Sequence, residues 1–181
     1  NIKDEAIVMN LFYDPNTKPE PVTERTPIFR NIHISNLTGS QVKRAGYIHG
    51  IEEMPVQNIS FSNINMQAEE GFKVHTAKNV EFHNVKIDSK TGPSFDIENS
   101  QDIVLENIKS DKPLEQEPVL KLTNVSNVFL YNNFPLVPTS VFMEVGGEKT
   151  SNIFLENNQF HNVKTPVKRS EDLQKDAILE Q

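Results

Sequence analysis

The pair of carboxylates whose spacing comes nearest to acid–base chemistry is Asp96 and Glu98. On a strand, residues two apart share a face about 7 Å from one another, a separation that suits the two carboxyl groups of an inverting glycosidase. One would protonate a leaving oxygen while the other activates water. The same spacing arises on any strand, however, and Lys73 and His75 are expected beside this pair. The four are therefore read as a surface charge cluster. Adjacent acids (Asp4-Glu5, Glu52-Glu53, Glu69-Glu70 and Glu171-Asp172) are poorer candidates. On a strand such neighbours point to opposite faces, and on a loop they are solvated.

The remaining chemistry-bearing types are excluded more simply. There is no cysteine, which removes disulfides and thiol catalysis. The five histidines, at 33, 49, 75, 83 and 161, show no metal-ligand spacing and are expected at outward or turn positions. No cofactor is expected. Asn36, Asn58 and Asn124 head glycosylation-acceptor triplets, but two of them belong to a repeat that explains them better. The net charge of −7 and the lack of a basic stretch argue against a nucleic-acid partner. No apolar run is long enough to cross a membrane as a helix.

The elements that would hold these residues follow from that repeat. Six segments read Asn/Asp, aliphatic, x, apolar, x, Asn, beginning at Asn31, Asn58, Asn79, Asp102, Asn127 and Asn152. Their starts are 27, 21, 23, 25 and 25 residues apart. Ile59 and Phe61 alternate with Ser60 and Ser62, the signature of a short strand with one buried face. The Asn that closes each segment has the parity of the apolar residues. It is expected at the inner side of a turn, in the left-handed conformation, bonded to its equivalents in a ladder. Second strands follow (Ile64 and Met66, Val85 and Ile87), and third strands precede the next repeat (Phe72 and Val74, Phe95 and Ile97, Leu120 and Leu122, Met143 and Val145).

Three short strands per repeat without helical periodicity describe a coil of a right-handed parallel β-helix, so the fold class is all-β. At about 4.8 Å per coil, six coils make a rod roughly 29 Å long. Lys73, Asp96, Lys121 and Glu144 fall on the outward side of successive third strands with alternating sign, a stabilising arrangement on adjacent strands.

A single domain is expected over 1–181. Residues 1–26 would form a first coil and a long proline-containing loop, residues 27–167 the repeat coils, and residues 168–181 a short helix capping the solenoid. Ser170 as N-cap, acids in the first turn and Leu173, Ala177 and Ile178 on one face carry that last expectation. The chain is expected to begin inside the solenoid, leaving a first coil headed by Ile7, Met9 and Leu11 through which it could self-associate.

Asn1-Ile2-Lys3-Asp4-Glu5-Ala6-Ile7, then Phe12-Tyr13, Thr26-Pro27-Ile28-Phe29-Arg30-Asn31-Ile32 and Gly50-Ile51-Glu52-Glu53, resembles the region after the active site in polygalacturonases. These are pectin-degrading glycoside hydrolases built on a parallel β-helix. The resemblance implies cleavage of α-linked galacturonide with inversion, an acidic plant polysaccharide as partner, and an extracellular or periplasmic location. The family's Asn-Thr-Asp, Asp-Asp, Gly-His-Gly and Arg-Ile-Lys signatures do not occur here, so no catalytic residue is assigned and the chain alone is expected to be inactive. Phe12 and Tyr13 are the residues that the resemblance places along a substrate groove, with Arg44 and Tyr47 behind them; Arg44 is of a type that pairs with uronate. The alternative is a non-catalytic β-helix that binds carbohydrate or serves as a scaffold.

Overall fold

The computed structural model describes residues 3–12 and 19–180. These form an all-β parallel solenoid of about six turns, with no helix. Its strands are β1 (Val8–Asn10), β2 (Arg30–His49), β3 (Val56–His75), β4 (Ala77–Glu98), β5 (Gln101–Glu106), β6 (Leu120–Thr123), β7 (Ser126–Tyr131), β8 (Thr139–Gly146), β9 (Ser151–Glu156), β10 (Val163–Arg169) and β11 (Ile178–Glu180). Strands β2, β3 and β4 are long because hydrogen bonding continues around the corners of the coil.

Stacking follows the repeat. Ile59, Val80, Ile103, Val128 and Ile153 stand in register in one internal column, each at most 1% exposed. Beside it run Phe61, Phe82, Leu105, Leu130 and Leu155. The third strands add Phe72, Phe95, Leu120 and Met143. Phe61 and Phe82 stack with ring centroids 5.0 Å apart, and Phe72 meets Phe61 edge-on at 4.8 Å. Val8 is 56% exposed and Met9 is buried, the alternation expected of β1. Ile7, Met9 and Leu11 are all buried.

The corners explain the asparagines. Both ends of each six-residue segment adopt positive φ, from Asn31 (58°) and Asn36 (57°) to Asn152 (54°) and Asn157 (49°). Asn58 donates to Asn31 and Asn79 to Asn58, at 2.9 and 3.1 Å. On the second corner Asn84 donates to Asn63 at 2.8 Å, and Asn107 to Asn84 at 3.0 Å. The ladder and the left-handed conformation match expectation, but the inward placement does not: Asn36, Asn63 and Asn84 are exposed. A left-handed residue breaks the two-residue alternation of the strand, so strand parity ceases to decide its direction. The ladder lies on the outer edge of each corner, where water solvates its remaining polar atoms.

The expected helix at the end of the chain is absent. Turns at Ser170–Leu173 and Gln174–Ala177 lead into β11, which pairs with β9 and places Ile178 beside Ile153. A helix there would leave the backbone of β9 unpaired, whereas another rung satisfies it, the Ile153 N–H donating to the Ala177 carbonyl at 2.8 Å. Asp172, expected to begin a helix, accepts from the Gly147 N–H across the stack at 3.0 Å.

Corner and ladder can be separated by substitution. Asn84→Ala loses two ladder bonds and strains a left-handed position, and is expected to destabilise by about 2–3 kcal/mol. Asn84→Gly loses the bonds without the strain, and about half that loss is expected. Urea unfolding midpoints of the two variants check the order, and equal losses would show that the corner conformation contributes nothing.

Candidate functional site

The outward residues of the third strands form two parallel rows. One runs Tyr47, Lys73, Asp96, Lys121, Glu144 and Lys168, so the alternation of charge extends to β10. The other runs His49, His75, Glu98 and Thr123 and leads directly into a third line of corners. Those corners are Thr76 (φ 54°), Asn99 (47°), Asn124 (52°) and Gly147 (94°). Their amides bond from coil to coil, Asn99 N–H to the Thr123 carbonyl at 3.0 Å and Asn124 N–H to the Gly146 carbonyl at 3.2 Å.

A groove of about 1060 Å³ follows this line of corners along the solenoid axis. Segments 19–27 and 50–55 wall it on one side, tied together where Glu20 N–H donates to Glu53 Oε1 at 3.2 Å. Gly50 lies at the base of the wall, where an added Cβ would collide with the Thr76 carbonyl oxygen and the Val56 nitrogen. At one end Phe12 lies flat on His49, with centroids 4.5 Å apart and planes 18° from parallel. An Asx turn fixes it there, the Phe12 N–H donating to Asn10 Oδ1 at 2.9 Å. His75 meets the His49 ring edge-on at 4.4 Å. The three rings follow one another through consecutive coils, the first two face to face and the third edge-on.

Burial disfavours the charged form of both imidazoles. Tyr47 Oη and His49 Nδ1 share a hydrogen bond at 2.7 Å. Asn99 Nδ2 donates to His75 Nε2 at 2.9 Å, which places the His75 proton on Nδ1, toward Thr76 Oγ1 at 2.8 Å. Burial, then the neighbouring His75 and Lys73, push His49 below its ordinary value of 6.5. Burial pushes His75 the same way, with Lys73 assisting and Glu98 opposing.

The Asp96–Glu98 pair lies beside this stack. Lys73 Nζ sits 3.5 Å from Asp96 Oδ2 and 3.4 Å from Glu98 Oε2. Burial raises the Asp96 carboxyl despite Lys73, and its Oδ1 is buried without a hydrogen-bond partner. Burial opposes the charge on Lys73, but its two carboxylates prevail and hold it above its usual value. Hydrolysis would need room between the carboxyl groups for a glycosidic oxygen and a water. Lys73 bridges that space. The geometry describes a compact ion triad.

The four residues that the sequence singled out are distributed unequally. Phe12 lies in the groove. Tyr13 lies outside the described residues. Tyr47 stands behind the groove as the hydrogen-bond partner of His49, and the Arg44 guanidinium lies 5.0 Å over its ring. Arg44 is already committed to two carboxylates, at 3.0 Å to Glu5 and 2.8 Å from Nε to Glu70. A uronate would have to compete with both. The residues that sequence reasoning passed over are His49, His75 and Asn99. Aligning the third strands as Gly46-Tyr47-Ile48-His49, Phe72-Lys73-Val74-His75 and Phe95-Asp96-Ile97-Glu98 would have stacked the two histidines at one position. Among the described residues no group of three or more His, Cys, Asp or Glu side chains converges to hold a metal.

Comparison with protein-family models, characterised proteins and solved structures finds no match.

The raised Asp96 carboxyl has a definite consequence. The folded chain binds this proton more tightly than the unfolded chain, so ionised Asp96 opposes folding above its ordinary value of 3.8. Asp96→Asn is therefore expected to raise the thermal midpoint at pH 7, and the gain should vanish as pH falls below about 4. Thermal scans across that range test it; a loss of stability at pH 7 would mean that the ion pair to Lys73 outweighs desolvation.

Proposed function

We propose that this chain is the β-helix region following the catalytic coils of a polygalacturonase-like glycoside hydrolase, with the right-handed winding of that family, and that it holds a pectic galacturonide chain without cleaving it. The observation that carries the reading is the row of three rings, Phe12, His49 and His75, along the groove. An aromatic ring and two imidazoles on successive coils offer apolar and polar contacts to successive sugar units. Arg25, Lys78 and Lys149 line the same groove and supply charge for uronate groups, although Glu20, Glu52 and Glu53 line it as well. The phrase Thr26-Pro27-Ile28-Phe29-Arg30-Asn31-Ile32 supports the family, and an extracellular or periplasmic location goes with it.

The second reading, a non-catalytic solenoid that binds carbohydrate in its own right, is favoured by one observation: Lys73 fills the space between the nearest pair of carboxylates. Both readings share the groove and differ in what precedes it in the functional protein.

Titration calorimetry with polygalacturonate tests the shared part. Phe12→Ala should weaken binding about tenfold. Both histidines have folded values below 6.5, so they are neutral at pH 7 and take up protons only as pH falls below that value. A bound polyanion favours their charged form, so affinity should rise from pH 7 to pH 5 with proton uptake on binding. In the free chain the sign is opposite: stability is lost as pH falls through the same window. Binding that is absent, or unchanged by Phe12→Ala, would sink the proposal. No reducing ends should be released, and turnover abolished by Asp96→Asn would restore the pair as catalytic.

A further inference from the structure

The sheet formed by the six-residue segments changes character along its length. Its outward positions are His33 and Ser35, then Ser60 and Ser62, then Glu81 and His83, all polar as a solvated face requires. From β5 onward one of the two columns becomes apolar: Val104, Phe129, Phe154 and Leu179 stand in register on successive rungs. Tyr131 occupies the neighbouring column between Glu106 and Glu156. The solenoid needs none of these side chains, because its core is filled from the other face by Ile103, Val128, Ile153 and their neighbours. Phe129, Tyr131 and Phe154 are nevertheless only partly buried, and Leu179 is 40% exposed.

The three rings form one surface. Phe129 and Tyr131 lie 5.0 Å apart on β7, and Phe129 faces Phe154 at 6.4 Å on the next rung. Carboxylates border them. Glu106 is fixed by His83 Nδ1 at 2.8 Å and by an amide hydrogen from Asn132 at 3.3 Å. His83 in turn bridges to Glu81 at 3.1 Å. No lysine or arginine occurs anywhere in β5, β7 or β9.

We propose that this face is a second carbohydrate-binding surface, for a neutral glycan lying along the solenoid axis. Rungs are about 4.8 Å apart, close to the length of one pyranose unit, so sugar faces meet rings on consecutive coils. Fixed carboxylates at the border accept hydrogen bonds from sugar hydroxyls, and charge-assisted bonds of that kind are the stronger ones. Glu81, Glu106 and Glu156 repel a polyuronate, which separates this ligand from the one proposed for the groove. The inference stands on the outer face of β5, β7 and β9 and does not depend on the groove or on any enzyme family.

Electrophoresis through gels containing galactomannan, xyloglucan or hydroxyethylcellulose, with polygalacturonate as comparator, tests it. At least one neutral glycan should retard the chain. Phe129→Ala with Phe154→Ala should weaken that retardation about tenfold, while Phe129→Tyr, which keeps the ring, should retain it. Leu136→Ser, at an exposed turn elsewhere, should change nothing. Far-UV circular dichroism on each variant separates lost binding from lost fold. Three results overturn the proposal: no retardation by any neutral glycan, retardation indifferent to the double substitution in a folded variant, or concentration-dependent sedimentation that this substitution abolishes. The last would make a second copy of the chain the occupant.

Discussion

Every coil depends on turning the backbone at fixed points without leaving the hydrogen-bonded sheet. The left-handed conformation achieves this, and it disfavours L-residues by about 1–2 kcal/mol each. Among the described residues sixteen non-glycine residues adopt it, and thirteen are asparagine, so a single residue type carries most of the turning. Asparagine suits the task twice over. Its short polar side chain tolerates positive φ, and its amide both donates and accepts, so identical residues on neighbouring coils bond one another. Glycine would tolerate the corner equally well but would add nothing between coils. The turning geometry and the cohesion of the stack therefore reside in the same side chains.

The third line of corners breaks this uniformity, and the groove lies there. Thr76, Asn99, Asn124 and Gly147 all turn left-handed, but three residue types share the task and no continuous amide ladder forms. Asn99 instead donates to the His75 ring. Freed from the ladder, the corner presents mixed polar groups beside a row of outward side chains, and the 19–27 and 50–55 segments wall the space above it. A repeating lattice sets positions at regular intervals. The groove arises where the repeat is least regular.

Charge is divided among the faces in a way that a count of −7 conceals. On the third-strand face, lysines alternate with acids, and Asp96, Glu98 and Glu144 each lie within 3.5 Å of a lysine. On the neighbouring face, β5, β7 and β9 carry acids and aromatics without a single lysine or arginine. The two faces share one core, so neither polarity follows from the demands of packing. His83 belongs to the acidic face: burial opposes its charge, but the bonds to Glu106 and Glu81 prevail and hold it above 6.5. His49 and His75, on the other face, are held below that value. One residue type is thus tuned in opposite directions a few strands apart, upward where two carboxylates bond the ring nitrogens and downward where burial prevails.

The repeat of Asn-aliphatic-x-apolar-x-Asn determined the stacked strands, the internal column from Ile59 to Ile153 and the alternating charges from Lys73 to Glu144, because strand parity and a regular period are properties of the chain alone. It also made the asparagine ladder legible, though not its outward direction, since a left-handed corner cancels the parity on which the inward reading relied. Ser170 to Leu179 carries helix signals as strong as any in the sequence, but the unpaired edge of β9 outweighed them and drew the segment into another rung. Of the groove's lining, Phe12 was singled out by the resemblance to polygalacturonases, not by any pattern in the residues themselves. The pairing of Phe12 with His49 and of His49 with His75 was decided only in the folded chain, as was the saturation of Arg44 by Glu5 and Glu70. Those contacts join residues 26 to 39 positions apart, and which side chains meet across a coil depends on how many residues each turn consumes. Loop length is what the local sequence leaves free, and the stacking of rungs is what settles it.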